Sequence, residues 1–113
     1  MTSQGSAHGR FTRAIKARNL FMAEMAMREM RTVSLLEALD YLVLLADLRP
    51  DSFDRAAVRW HGRLEAEAGT LTLAESQLAL AALGSLRVGD RDALPVLRRL
   101  IAARPAHLLR RID

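Results

Sequence analysis

The sequence contains no cysteine, which excludes disulfide bonds, a thiol nucleophile and cysteine-ligated zinc. It also lacks an apolar run of about 20 residues, the length that a membrane-spanning helix needs. Residues 1–9 are small and polar and lack the apolar region of a signal peptide. We therefore expect a protein of a reducing compartment, by default the cytoplasm, with no membrane partner.

The motifs of common catalytic sites are missing as well. The sequence has no G-x-S-x-G motif, no phosphate-binding loop and no dinucleotide-binding fingerprint. Its few serines and threonines stand where helix caps and turns would use them. We expect no enzymatic activity, no cofactor and no metal ion.

Lysine is nearly absent, since Lys16 is the only one among 17 basic residues. The formal net charge is +4, and the isoelectric point is near 10.9. Arginine in place of lysine, with abundant alanine and leucine, is typical of a GC-rich genome, and the basic residues occur along the whole chain. We interpret the excess mainly as solvated surface. A nucleic-acid-associated regulator that uses scattered arginines on helix faces is the alternative.

Apolar side chains at helical spacing are what the sequence does contain. Half of the 113 residues are hydrophobic, enough for one buried core. The pattern predicts a flexible tail over 1–9, followed by a single all-α domain over 10–113. Within that domain we predict a stack of five helices, in antiparallel or right-angled hairpins, over 10–31, 34–48, 51–68, 72–86 and 92–104.

The segment 72–86 is the predicted centre of the fold. Its apolar residues surround the helix axis, which is typical of a helix that is buried on several sides. Thr72 and Glu75 have the spacing of a capping box, and Ser34 and Glu37 repeat that spacing one helix pair earlier. The two helix starts lie at an offset of 38 residues, so the chain is predicted to hold two hairpins in tandem.

One stretch resembles a known family. The run Ala81-Ala82-Leu83-Gly84, the Gly89-Asp90 turn and the segment Ala93-Leu94-Pro95 resemble a HEAT repeat, best over 78–100. The resemblance implies a short HEAT-like α-solenoid, for which an orthogonal helical bundle is the alternative. It also implies protein–protein contact along stacked helices.

The candidate partner-binding residues are Arg55, Arg59 and Arg63. Their i, i+4, i+8 spacing places them along one flank of a helix, where guanidinium groups could bind carboxylates of an acidic partner. The alternative is that they pair with nearby acidic residues of the same chain. Trp60, on the apolar stripe of the same helix, is predicted to be a core residue.

The sequence contains more large apolar residues than one core needs. Four methionines at positions 22–30 are predicted mainly to fill the core. Phe21, Met25 and Leu44 fall outside the main apolar stripes. Together with the apolar circumference of 72–86, they predict a homodimer. The predicted function is a non-enzymatic interaction or adaptor module that presents a rigid helical surface to a protein partner.

Overall fold

A computed structural model describes residues 5–103. This part of the chain is all-helical, as predicted. It contains six α-helices and one short 3₁₀-helix: α1 (Ala7–Lys16), α2 (Leu20–Glu29), α3 (Leu35–Leu48), the 3₁₀-helix Pro50–Ser52, α4 (Phe53–Ala68), α5 (Leu73–Arg87) and α6 (Ala93–Ala102). Of the predicted tail, residues 7–9 already belong to α1, which Ser6 caps. The segment after Ala103 lies outside the described residues.

The predicted long helix over 10–31 is wrong, because the chain turns at 17–19. Arg18 adopts a left-handed backbone conformation with φ of 56°, which a continuing right-handed helix does not allow. The side chain of Asn19 then accepts a hydrogen bond from the backbone N–H of Met22 and starts α2. No glycine or proline marks this turn, so the apolar periodicity runs through it unbroken.

Most predicted helix ends are confirmed. Ser34 with Glu37 and Thr72 with Glu75 form complete capping boxes, and Gly69 ends α4 with φ of 71°. The predicted start of the third helix at residue 51 is wrong, because Asp51 lies inside the 3₁₀-helix and α4 begins two residues later.

Consecutive helices pair into three hairpins, α1–α2, α3–α4 and α5–α6. The helix α3 contacts each of the other five α-helices, and Leu39, Leu42, Leu44 and Leu45 of this helix are buried. The centre of the described fold is therefore α3 and not the segment 72–86. Leu44, which we expected to face a neighbouring chain, is instead 3% exposed and part of the core.

The helix α5 is buried on one side only, contrary to prediction. Its inner side carries Ala79, Ala82, Leu83 and Leu86, all buried. Its outer side leaves large apolar side chains in water: Leu73, Leu78 and Leu80. The periodicity of an all-apolar helix contains no signal that tells the inner side from the outer one, so the orientation comes from contacts with α3, α4 and α6.

Two separate clusters form the core. The larger one contains residues of α3 to α6 and Leu20 of α2. The smaller one lies inside the α1–α2 hairpin and consists of Phe11, Ala14, Ala23, Ala26 and Met30. Ile15 and Tyr41 pack against both clusters. Hydrogen-bonded pairs also join the hairpin to α3, including His8 with Glu37 and Arg18 with Asp47.

The prediction that the four methionines at positions 22–30 mainly fill the core is right for only two of them. Met30 is buried and Met27 is half-buried, whereas Met22 and Met25 are exposed beside the exposed ring of Phe21.

Within residues 5–103, no helix combines the length and apolar character that crossing a bilayer requires.

Candidate functional site

A groove of about 380 Å³ lies between α3 and α4, and α2 contributes to one of its walls. We call it the α3/α4 groove. Most of its surface is apolar, and its lining brings together residues that are far apart in sequence: Met27, Ala38, Tyr41, Leu42, Ala56, Arg59, Trp60 and Arg63. It is therefore an apolar depression with two guanidinium groups among its lining residues.

The base of the groove is fixed by Trp60. Its ring is 3% exposed, and its Nε1–H donates to the main-chain carbonyl oxygen of Leu35 at 3.0 Å. This bond satisfies the one polar group of the indole and ties α4 to the first turn of α3. The prediction that Trp60 is a core residue is confirmed, and the indole offers a ligand only its apolar surface.

The structure places two of the three predicted arginines in the groove. Arg63 donates from Nε to Glu67 at 2.7 Å, which is the alternative pairing considered from the sequence. Among residues 5–103, no carboxylate lies within 4 Å of the guanidinium of Arg59 or Arg55. Arg55 does not line the groove. The stripe of three therefore divides into Arg59 and Arg63 at the groove and Arg55 outside it.

Tyr41 links the groove to the α1–α2 hairpin. Its hydroxyl donates to Glu24 Oε2 at 2.6 Å, and Arg49 Nη1 donates to the same oxygen at 3.1 Å. Burial of the phenol, together with its hydrogen bond to the Glu24 carboxylate, raises the pKa of Tyr41 to about 12. The positive charges of Arg49 and Arg59 act in the opposite direction. Spacing along the chain contains no signal for this contact, because it joins two different helices.

The raised pKa of Tyr41 predicts a measurable loss of stability at alkaline pH. An unfolded tyrosine titrates near pH 10. Between about pH 10 and 12 the folded state therefore keeps a proton that the unfolded state releases, and stability falls as the pH rises through this window. Tyr41 is the only tyrosine, so the phenolate absorbance of the folded protein should give a midpoint near 12, and that of the urea-unfolded chain one near 10. A midpoint near 10 in the folded protein would contradict the contact with Glu24.

A second polar cluster, which sequence reasoning missed, joins α4 to α5. The hydroxyl of Ser76 donates to Glu65 Oε2, and the same hydroxyl oxygen lies 2.9 Å from Nε2 of His61. Since the one hydroxyl proton goes to the carboxylate, Nε2–H of His61 is the donor to the serine oxygen. This direction is opposite to that of a serine–histidine nucleophile pair, in which the serine gives its proton to the imidazole. The cluster acts as a tie between two helices.

The chemistry of the α3/α4 groove suits a ligand with an apolar group and one or more carboxylates. The apolar group would contact Trp60, Leu42 and Met27, while the carboxylates would accept hydrogen bonds from Arg59 and Arg63. Tyrosine, tryptophan and arginine are the residues most enriched at the energetic centres of protein interfaces.

Compared with protein-family models, with curated proteins and with solved structures, the chain shows no match.

Proposed function

We propose that the protein is a non-enzymatic interaction module whose α3/α4 groove binds an acidic segment of a partner protein. The observation that carries this proposal is the position of Arg59, a guanidinium without a salt bridge among residues 5–103, beside the apolar lining around Trp60. The likeness of 78–100 to a HEAT repeat adds an analogy, because such repeats serve as contact surfaces.

The binding would proceed by charge steering followed by apolar contact. Arginines at the edge of an interface increase the rate of encounter with an acidic partner, and removal of the apolar surface from water then supplies most of the affinity. Arg63 would exchange its contact with Glu67 for a carboxylate of the partner. This exchange has a small energetic cost, since exposed ion pairs contribute only about 0–1 kcal/mol.

The experiment uses Arg59→Glu, with Arg55→Glu as a control of equal charge change on the same helix. The probe is a short synthetic peptide with one leucine flanked by glutamates, and the signal is the fluorescence of Trp60, the only tryptophan. We expect Arg59→Glu to weaken binding about tenfold or more, equivalent to about 1.4 kcal/mol. Arg55→Glu should change it about twofold. Equal losses in the two variants would show that the groove is not the site.

A nucleic-acid function would give a different result in a salt titration. A random DNA duplex should bind weakly, because the arginines at the groove are only two and stand beside an apolar surface. A log–log slope that corresponds to several released counterions would instead favour the nucleic-acid regulator.

We also propose that a second copy of the chain covers the outer side of α5. Leu73 and Leu80 are exposed there, as is Val88 directly after the helix, and Val58 of the adjacent α4 is 68% exposed. Gly84 lies in the last turn of this helix, with open space where a side chain would begin. Packing within one chain therefore gives no reason for this glycine, although it costs about 1 kcal/mol relative to alanine. Close contact with a helix of a second chain would explain why a glycine occupies this position.

Light scattering tests the homodimer. At high micromolar concentration we expect twice the 12.6 kDa mass of one chain, and Leu80→Glu should return the mass to that of a monomer. Thr12→Glu, which adds the same charge on the exposed side of α1, should remain dimeric. A monomer mass for the unchanged protein at these concentrations would refute the dimer.

A further inference from the structure

A second groove, of about 390 Å³, runs between α1 and α2 on the α1–α2 hairpin. Its lining extends from Ala17 and Asn19 at the turn of the hairpin to Arg10 and Glu29 at the other end. Each of the two helices has ten residues, so the groove is roughly 15 Å long at 1.5 Å per residue. This is the length of nearly three helical turns.

The two methionines of this groove are not part of the core of the fold. The hairpin buries Phe11, Ala23 and Ala26 in its own core, and Val33 and Tyr41 pack against that core. Met22 and Met25 line the groove, and they remain 47% and 39% exposed, next to Phe21 at 65%. Two paired helices thus expose an apolar groove where a third helix could pack.

The charge of the protein is concentrated on the same hairpin. Residues 1–31 contain six basic and two acidic side chains, whereas residues 32–113 contain eleven of each. The whole net charge of +4 therefore belongs to the first 31 residues, although basic residues occur along the whole chain. Arg10 and Arg13 lie on the α1 wall of the groove, and Arg28 is exposed on α2.

We propose that the α1–α2 groove binds an acidic amphipathic helix of a partner protein. Apolar residues of that helix at i, i+3 or i+4, and i+7 would contact Met22 and Met25. Its flanking carboxylates would meet Arg13 and, in exchange for the ion pair with Glu29, Arg10. Methionine side chains are flexible and adapt to helices of different shape. This site is separate from the α3/α4 groove, and its existence does not depend on the function proposed for that groove.

Charge decides which occupant fits. The hairpin over 7–29 carries five basic and two acidic side chains, a net charge of +3. A second copy of the chain would bring a second such hairpin against the first, and like charges facing each other across an interface are costly. A flat anionic lipid surface would satisfy the charge but would leave a groove of this length unfilled. An acidic helix satisfies both the charge and the shape.

The experiment uses the full chain with ¹³C-labelled methionine methyl groups. The probe is a synthetic helical peptide of about 15 residues with leucines at the anchor positions and glutamates elsewhere. A peptide with lysines in place of the glutamates is the matched control. We expect the acidic peptide to shift the methyl signals of Met22 and Met25 and to leave that of the buried Met30 unchanged. Met27, which lines the α3/α4 groove, reports separately on any binding there. The basic peptide should shift none of them.

Two variants test the two parts of the surface. Met25→Gln and Arg13→Glu should each weaken the acidic peptide about tenfold, while Arg99→Glu on α6 should change its binding by less than about twofold. Circular dichroism of each variant should match that of the unchanged protein.

Other outcomes overturn the proposal and are distinguishable from one another. A shift at Met27 alone would place the peptide in the α3/α4 groove, which supports the function proposed above and refutes this one. Shifts of Met22 and Met25 with anionic vesicles but not with the peptide would assign the surface to lipid. Shifts that depend only on protein concentration would assign it to a second copy. No shift with the acidic peptide would refute the site.

Discussion

Leu86→Ala is expected to lower the free energy of unfolding by about 2–5 kcal/mol. Leu86 is fully buried between α5 and its neighbours, with 0% exposure, so the truncation leaves a cavity in the larger core. A domain of this size is stable by only about 5–15 kcal/mol, so the variant should unfold at a much lower urea concentration than the unchanged protein.

The matched control is Leu73→Ala, the same substitution in the same helix. Leu73 is 76% exposed in the monomer, and exposed substitutions usually change stability by no more than about 0.5 kcal/mol. Urea unfolding of both variants, at a concentration where the chain is monomeric, measures the difference. Equal losses would mean that α5 is covered on both sides within one chain, as its composition alone predicts.

Phe11→Ala is expected to unfold the α1–α2 hairpin while α3 to α6 remain folded. Phe11 is the one aromatic residue of the smaller core, where its buried companions are three alanines and Met30. Its truncation should cost about 3–5 kcal/mol. Two helices of ten residues are too short to be stable without packing. The ion pairs that join them to the rest of the fold are exposed or partly exposed, so each contributes little.

Hydrogen exchange measures this prediction directly. In Phe11→Ala the amides of α1 and α2 should lose protection, whereas those of α3 to α6 should keep it. The absorbance titration gives an independent reading: loss of the contact with Glu24 should move the midpoint of Tyr41 from about 12 toward its ordinary value of about 10. Phe53→Ala, in the larger core, should instead affect all of α3 to α6. Uniform loss of protection in Phe11→Ala would contradict the division into two cores.

Features that depend on a few neighbouring residues were predictable. The capping boxes at Ser34 and Thr72 are closed by residues three positions away, and Gly69 ends α4 because glycine adopts the left-handed conformation without a steric penalty. The turn at Arg18 obeys no such local rule. There the packing of α1 on α2 outweighs the conformational cost of a left-handed arginine. Asn19 is a local signal for the start of α2, but no residue of the sequence marks the left-handed position before it.

The features of the candidate site were likewise only partly predictable from the sequence. Helical spacing alone placed Arg55, Arg59 and Arg63 on one flank of α4. It could not show that Arg59 and Arg63 stand at a groove completed by α3 and α2, nor that Arg55 lies outside it. The contact of Tyr41 with Glu24 and that of His61 with Ser76 join different helices, and no periodicity within one helix specifies them.

The amino-acid sequence by itself determined the all-helical class, most helix ends and the burial of Trp60, because these follow from side-chain spacing within one helix and from local hydrogen bonds. Only the tertiary structure decided which side of α5 meets water, which helix is central and where the grooves lie. The physical reason is that an apolar helix can be buried on any side with similar gain. The choice among its sides depends on the volumes and positions of the other helices that pack against it.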